Sequence, residues 1–322
     1  MADRRTNTSC SWTRVVGTAI VALGMTMCGG VERSDEDEGA HESTSDQPDV
    51  SSLTPESTDE EIMRHMLWVM ENQATSSELT KNFPDLDRAR AYDIQRLRLE
   101  HREQTEERVG WKIGWSNQPD PNVPIDPVFG HIMAADVLEP GELSLDRLIE
   151  GDTGIEAEVA FWLAKDLPGP TVTRDDVIDA TAEVAAAIEV IKPRVTAHGS
   201  DALDWPNRHN HGIVDNVWHT GVILSPNRFS VDDVDFAAET VTVVVNDEPA
   251  LEGQMSWTMG RDPIEGVVWL ANELLEYGYQ LSAGDFVITG SVVYRDKVRP
   301  GDTATLTYSS LGTMQMSVAS AP

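Results

Sequence analysis

Residues 154–167 read GIEAEVAFWLAKDL. Ile155, Ala157, Val159 and Phe161 alternate with Glu156 and Glu158, and in a β-strand residues two apart share a face. The apolar set is expected to face a core, which leaves the two acids side by side on the opposite face. Paired carboxylates in an apolar strand repel each other, and burial penalises their ionised form further. Either that face is solvated or a cation compensates it. A third acid, Glu189, sits in the similarly apolar AAAIEVIKP at 185–193. Three carboxylates converging from strands make a hard, all-oxygen site suited to Mg²⁺ or Mn²⁺, and less to Ca²⁺. In the alternative reading Glu156 and Glu158 lie on a solvated strand and Glu189 at an exposed helix end. Spacing alone leaves both open.

Outward from this strand the pattern is mixed. VGWKIGWS (109–116) is a short apolar strand holding Lys112, and 173–195 reads as a helix capped by Thr173 that runs into the β-rich AIEVI. HTGVILS (219–225), ETVTVVVNDE (239–248), DFVITGS (285–291) and DTATLTYSS (302–310) are further strands bounded by turn formers. DPIEGVVWLANELLEYG (262–278) is a helix ending at Gly278. Before all of these, Ile62, Met66, Val69 and Met70 recur at helical spacing behind the N-cap candidates Ser57, Thr58 and Asp59, and a second amphipathic helix is expected over 86–105. There is no repeat and no regular βαβ alternation, so the fold class is α+β with a mixed, curled sheet. His198, His209, His211 and His219 crowd one region, but WPNRHNHG (205–212) reads as a polar loop, and no HExxH spacing supports zinc.

The 322-residue chain carries a net charge of −31, which argues against nucleic acid and against an anionic membrane surface as partners. Much of that charge is local: residues 31–61 hold twelve acids and one base. That stretch has almost no large apolar residues and reads as a disordered linker. Ahead of it, Arg4, Arg5 and Arg14 precede the uncharged run Val15–Met27, too short to span a bilayer and of the length of a secretory signal. The run ends at Cys28 and two glycines, which resembles a lipoprotein signal with Cys28 lipidated, although Met27 replaces the usual small residue. The expected organisation is a signal segment (1–28), an acidic linker (29–57), a helical portion (58–109) and a mixed β catalytic domain (110–322). The expected location is the cell envelope, tethered through Cys28. A cleaved signal, an uncleaved anchor, or a cytoplasmic protein with a mis-called start are the alternatives. Cys10 is the only other cysteine, so the folded part has neither disulfide nor thiolate nucleophile.

Seven stretches in order resemble the 2-keto-4-pentenoate hydratase and 2-oxohept-3-enedioate hydratase family of the fumarylacetoacetate hydrolase superfamily. They are DLDRARAYDIQRL, VGWKIGWS, PVFGHI, IEAEVAFWLAKDL, AAIEVIKPRV, VDNVWHTGVILS and the closing helix–strand unit from Asp262 to Ser291. The resemblance spans roughly residues 60 to 320. It implies a rolled mixed β-sandwich with an N-terminal helical portion, assembled as a homo-oligomer. It implies Mg²⁺ or Mn²⁺ on Glu156, Glu158 and Glu189, holding a small 2-oxo or 2-hydroxydienoic acid. Lys112 is then the proton carrier, with a pKa lowered by its apolar strand and the adjacent cation; the alternative is a salt bridge to a glutamate without catalysis. Asp215 and Ser291 join it as catalytic candidates. Arg194, Asn216, His219, Thr289 and Gly290 are the candidate substrate contacts, Arg194 pairing with a carboxylate of either the substrate or the protein.

The sequence departs from the family in three places. Val128 stands where many members have an acid, unless Asp126 substitutes; Trp218 is bulkier than the usual residue; and Lys192 stands where an acid is frequent. Three functions follow from the resemblance: a metal-dependent hydratase of 2-hydroxy-2,4-dienoates, a related 2-oxo acid decarboxylase or C–C hydrolase, and a non-catalytic envelope protein that binds oxo acids.

Overall fold

A computed structural model describes residues 52–148, 153–198 and 207–320. The signal-like segment, the acidic linker up to residue 51 and Cys28 lie outside the described residues. The described chain opens with α1 (Asp59–Glu71), α2 (Glu78–Asn82) and α3 (Arg88–Arg102). Thr58 and Glu61 close a reciprocal capping box on α1, and the Asp87 side chain caps α3. Their apolar faces, including Ile62, Met66, Ile94 and Leu99, enter the main core.

Strands follow: β1 (Arg108–Gly114), β2 (Val128–Met133), β3 (Val137–Leu138), β4 (Glu142–Leu143) and β5 (Gly154–Leu163). The chain continues through α4 (Arg174–Ala180), β6 (Thr181–Ile191), α5 (Asn207–Val214), β7 (His219–Leu224), β8 (Thr240–Val245) and β9 (Leu251–Gln254). It ends with α6 (Pro263–Glu273), β10 (Phe286–Ile288), β11 (Val293–Arg295), β12 (Thr303–Tyr308) and β13 (Thr313–Val318). Thr173 caps α4 as expected, and α6 runs on through a 3₁₀ turn to Gly278, whose φ of +80° ends it. Two expectations are corrected. Residues 205–212 are not all loop, because α5 begins at Asn207. β6 also starts at Thr181, several residues before AIEVI.

One sheet has the order β2-β1-β10-β5-β6-β7-β3, with β11 also pairing β5; the other is β4-β13-β12-β8-β9. Most pairs are antiparallel, but β1 with β10, β3 with β7 and β4 with β13 are parallel, which makes both sheets mixed. The larger sheet is rolled. β1 and β6 are three strand steps apart, about 14 Å in a flat sheet, yet the side chains of Lys112 on β1 and Glu189 on β6 meet at 2.8 Å. The convex face, including Ile113, Val159, Phe161, Ile188 and Val190, belongs to the main core. The concave face holds a smaller apolar cluster of Ile132, Ala160, Ala187, Val222, Phe286 and Ile288. The alanines there leave the room that a tight roll needs.

Tyr308 on β12 ties the two sheets together. Its buried hydroxyl lies 2.8 Å from the Glu158 carbonyl of β5 and 3.0 Å from the Ala187 carbonyl of β6. Tyr308→Phe removes this donor from two buried acceptors and should cost about 1–3 kcal/mol in urea unfolding, with an unchanged m value. No measurable loss would mean that the hydroxyl is not an inter-sheet tie.

Candidate active site

The register of β5 and β6 builds the site. Glu156 stands directly opposite Glu189 across the antiparallel ladder, and Glu158 follows Glu156 on the same face. One oxygen from each of the three carboxylates lies within 4.8 Å of the others. Glu158 and Glu189 are fully buried and Glu156 is half-buried, so the solvated-face reading does not hold.

The neighbours define three different states. Glu189 accepts from Lys112 Nζ at 2.8 Å through Oε2 and from His219 Nδ1 at 2.6 Å through Oε1. Burial works against its charge, but Lys112 and His219 overcome this and hold its pKa down at about 2. Glu156 is pushed up to about 8 by burial and then by the Glu189 charge. Glu158 is driven well above the usual carboxylate range by burial, then by Glu189 and Glu156. Its Oε2 accepts from the Gly290 N–H at 2.7 Å, while its buried Oε1 has no hydrogen-bond partner. Two acids forced towards protonation and one bare buried oxygen form a donor set that fits a hard divalent cation.

Gly290 reaches Glu158 because the chain leaves the sheet there. β10 pairs with β5 at Ala160–Trp162 and β11 pairs with it at Ile155–Ala157, so residues 289–292 loop past Glu158. Gly290 has φ +91°, and a Cβ on it would lie 1.9 Å from Ser116 Oγ, which only glycine avoids. Thr289 is buried under the loop, its hydroxyl 3.2 Å from the Val159 carbonyl. The Ser291 hydroxyl donates to the Val293 carbonyl at 2.6 Å and lies on the wall of the adjoining pocket.

Lys112 is fully enclosed, bonded to Glu189 and to the Val217 carbonyl at 3.0 Å. With the three acids alone around it, its pKa is raised. Burial does push the ammonium down, but the charges of Glu189, Glu156 and Glu158 outweigh it. The carbonyl it meets is delivered by an unusual turn. Asn216, Val217 and Trp218 all have positive φ, between +52° and +65°, a region that bulky and β-branched residues avoid. Asn216 pins the turn, its side chain bonded to both the N–H and the carbonyl of His131 at 2.9 Å. Strain of this kind persists only where the surroundings over-determine it.

A pocket of about 180 Å³ opens over Lys112 and Glu156. Trp115, Trp218, Ile191, Val217 and Tyr294 wall it, and Lys112 is the only basic residue among the described lining residues. Trp115 and Trp218 meet edge to face at 5.1 Å. Trp115 and Tyr294 were not singled out in the sequence. Trp115 directly extends the Lys112 strand, and Tyr294 is cross-strand from Glu156.

Six expected catalytic or substrate-contact residues do not line this pocket: Asn216, Thr289, Gly290, Arg194, Asp215 and His219. Arg194 and Asp215 form a buried pair at 2.9 Å, with Asp215 also accepting from the Arg194 N–H, and neither lines the pocket. A buried guanidinium requires a paired acid, and here Arg194 takes the protein's own carboxylate, Asp215. His219 braces Glu189 from the side away from the pocket. Asp126 does not substitute at Val128, since it pairs with Arg88 at 2.5 Å and also faces His209 at 3.3 Å. His209 stacks on Trp115 at 4.0 Å, and His211 meets the Phe83 carbonyl at 2.8 Å, so these two histidines serve packing.

Residues 100–319 match the model of the fumarylacetoacetate hydrolase C-terminal domain. The chain belongs to the fumarylacetoacetate hydrolase family. It is 32% identical over 245 residues to the 2-hydroxyhexa-2,4-dienoate hydratase of Comamonas testosteroni, covering 74% of this chain and 89% of that one. It is 30% identical over 249 residues to the 2-oxo-hept-4-ene-1,7-dioate hydratase of Escherichia coli, covering 73% and 88%. The structure of 4-oxalocrotonate decarboxylase from Pseudomonas putida G7, complexed with magnesium and adipate, superposes with a TM-score of 0.71. It is 27% identical and covers 81% of this chain and 98% of that one. The rolled β architecture and enzyme class expected from the sequence are therefore those of this family. The envelope location is not. Its relatives carry hydratase and decarboxylase names with no mention of a lipid anchor, which overturns the expectation of an envelope lipoprotein tethered at Cys28.

Removing one donor from the carboxylate set should weaken Mn²⁺ or Mg²⁺ binding by roughly tenfold or more. Glu158→Gln and Glu189→Gln are the informative variants, measured by calorimetric titration of the metal. Unchanged affinity in both would remove the three acids as a metal site.

Proposed function

We propose that the chain is a metal-dependent hydratase of 2-hydroxy-2,4-dienoates, with Glu156, Glu158 and Glu189 holding Mg²⁺ or Mn²⁺. The observation that carries this reading is the convergence of three enclosed carboxylates with one protonated lysine at the base of a small, aromatic-walled pocket. When bound, the ion supplies Lewis-acid stabilisation of negative charge on the substrate's carboxylate and 2-oxygen.

The chain's own residues supply the rest. A 2-hydroxypenta-2,4-dienoate must lose its hydroxyl proton and gain one at carbon 5, giving a conjugated 2-oxo acid. Water then adds across the remaining double bond, its hydroxyl to carbon 4 and its hydrogen to carbon 3, yielding a 4-hydroxy-2-oxo acid. Lys112 is the group at the pocket base able to hold and give a proton. Its ammonium is enclosed, charged and fixed by Glu189 and the Val217 carbonyl. His219 and the Gly290 N–H orient two of the acids, and Trp115 and Trp218 exclude bulk water from the dienoate tail.

The wall composition also bears on the substrate. A hexadienoate has one carboxylate and a heptenedioate two. With Lys112 committed to the pocket base and no other basic lining residue among those described, a second carboxylate has no cation to meet. We therefore assign a monocarboxylate with an apolar tail. This also disfavours the decarboxylase alternative where its substrate is a dicarboxylate, as with 4-oxalocrotonate.

The test is the decay of dienol absorbance on mixing 2-hydroxypenta-2,4-dienoate with protein and Mg²⁺ or Mn²⁺. A 4-hydroxy-2-oxo acid should be the product, with kcat/KM at least roughly tenfold above that for the 1,7-dioate. Lys112→Met should lower kcat by about 100-fold or more while metal still binds. Carbon dioxide as product would shift the assignment to decarboxylation. Absence of decay with metal bound would sink the hydratase reading.

A further inference from the structure

Lys192 follows the end of β6 and is only 3% exposed. A lysine is almost never buried to this degree unless it is paired. Its backbone N–H donates to the Trp218 carbonyl at 2.8 Å, but its ammonium makes no hydrogen bond or ion pair with any described residue. It lines a cavity of about 300 Å³ together with Arg147, Arg194, Thr220, His219 and Arg102. No residue of this cavity lines the pocket over Lys112 and Glu156.

The other cations of the wall are largely satisfied. Arg102 pairs with Asp136 at 2.8 Å, and Arg194 pairs with Asp215 at 2.9 Å. Arg147 donates to the Thr220 carbonyl at 3.0 Å and lies 3.7 Å from Asp136, an acid already engaged by Arg102. Asp146 and Glu71 also line the cavity, and neither pairs with Lys192. The result is an uncompensated ammonium against two guanidinium groups. Burial, then Arg194 and Arg147, drives its pKa down to about 8 against the opposing pull of Asp146 and Asp215. A further donor of the wall, Arg194 Nε, is buried without a partner. The Lys192 ammonium on the cavity wall and the unmet Arg194 Nε are donors that an anion in a space of this size could accept from.

We propose that this cavity is a second ligand site that binds a small oxyanion, a carboxylate or an inorganic tetrahedral anion, on Lys192 with Arg147. The site is independent of the hydratase assignment, because none of the catalytic candidates at the pocket base contacts Lys192. Phosphate competes for divalent metals, so acetate and sulfate are the probes, each against chloride at equal ionic strength, on the metal-loaded full chain.

The wild type should gain about 3 °C or more in thermal midpoint at about 20 mM of one probe over chloride. Lys192→Met should abolish that gain while turning over dienol in chloride at the wild-type rate. Arg147→Gln, on a more exposed side chain, should weaken it at least fivefold in apparent affinity and serves if the Lys192 variant does not fold. The gain should survive in Lys112→Met, which places it outside the active pocket. A gain that persists in both cavity variants is general salt stabilisation and overturns the proposal. So does no gain in the wild type with either probe, the result expected if a second copy of the chain fills the cavity. Loss of turnover in chloride for Lys192→Met would make the lysine part of the active site instead, and would equally overturn it.

Discussion

The molecule is organised around like charges that the fold brings together and only partly neutralises. Glu156, Glu158 and Glu189 meet because β5 and β6 pair with Glu156 opposite Glu189, and Lys112 joins them only because the sheet rolls until β1 and β6 face one another. One ammonium is not enough for three carboxylates. It settles one acid, with help from His219, and leaves the other two with raised pKa values. Such an arrangement is poor design for stability alone, since burying unpaired charge costs more than packing apolar residues in its place. It becomes intelligible as a site that waits for a divalent ion.

The roll that creates this meeting has its own requirements, and they account for features that look unrelated. The concave face sets Ala160 and Ala187 among Ile132, Val222, Phe286 and Ile288, and the two alanines leave room where longer side chains would meet. Among the ties to the second sheet is Tyr308, which holds β5 and β6 at the level of Glu158. The break between β10 and β11 leaves a gap beside β5, and Gly290 fills that gap with a backbone donor aimed at Glu158. Topology and chemistry are thus the same problem here: the sheet positions the acids, and the acids are tolerable only where the sheet encloses them.

Part of this was legible in the residues. The alternation in 154–163 fixed which face carried the acids, and local caps at Thr58, Thr173 and Gly278 marked helix ends correctly, because such signals act within a few residues. The misreadings share a cause in long-range context. Thr181–Ala187 is rich in alanine, a helix former, yet pairs along β5, and tertiary pairing overrode propensity. In α5 the polar sequence NRHNHG looked like a loop, but Asn210 and His211 donate to carbonyls of the α2–α3 connection and so pack as a helix face. The depressed pKa expected for Lys112 presumed an adjacent cation; the three acids by themselves, which only the fold places around it, raise it. Arg194 and Asp215 are 21 residues apart and gave no sign in the sequence that each would satisfy the other.

The strained turn Asn216–Trp218 is backbone shared by the active pocket and the cavity behind it. Its Val217 carbonyl fixes Lys112, its Trp218 ring walls the pocket, and its Trp218 carbonyl fixes the backbone of Lys192. On either side of it, Asp215 locks Arg194 and His219 braces Glu189. Five consecutive residues therefore set the positions of groups on both sides of β6. Three successive left-handed residues each carry a cost of order 1–3 kcal/mol, and only contacts made by all of them together offset it. A change that relaxed the turn would release Lys112 and Lys192 at once. The strain is what holds the Lys112 ammonium against the three carboxylates and the Lys192 backbone beside the second cavity.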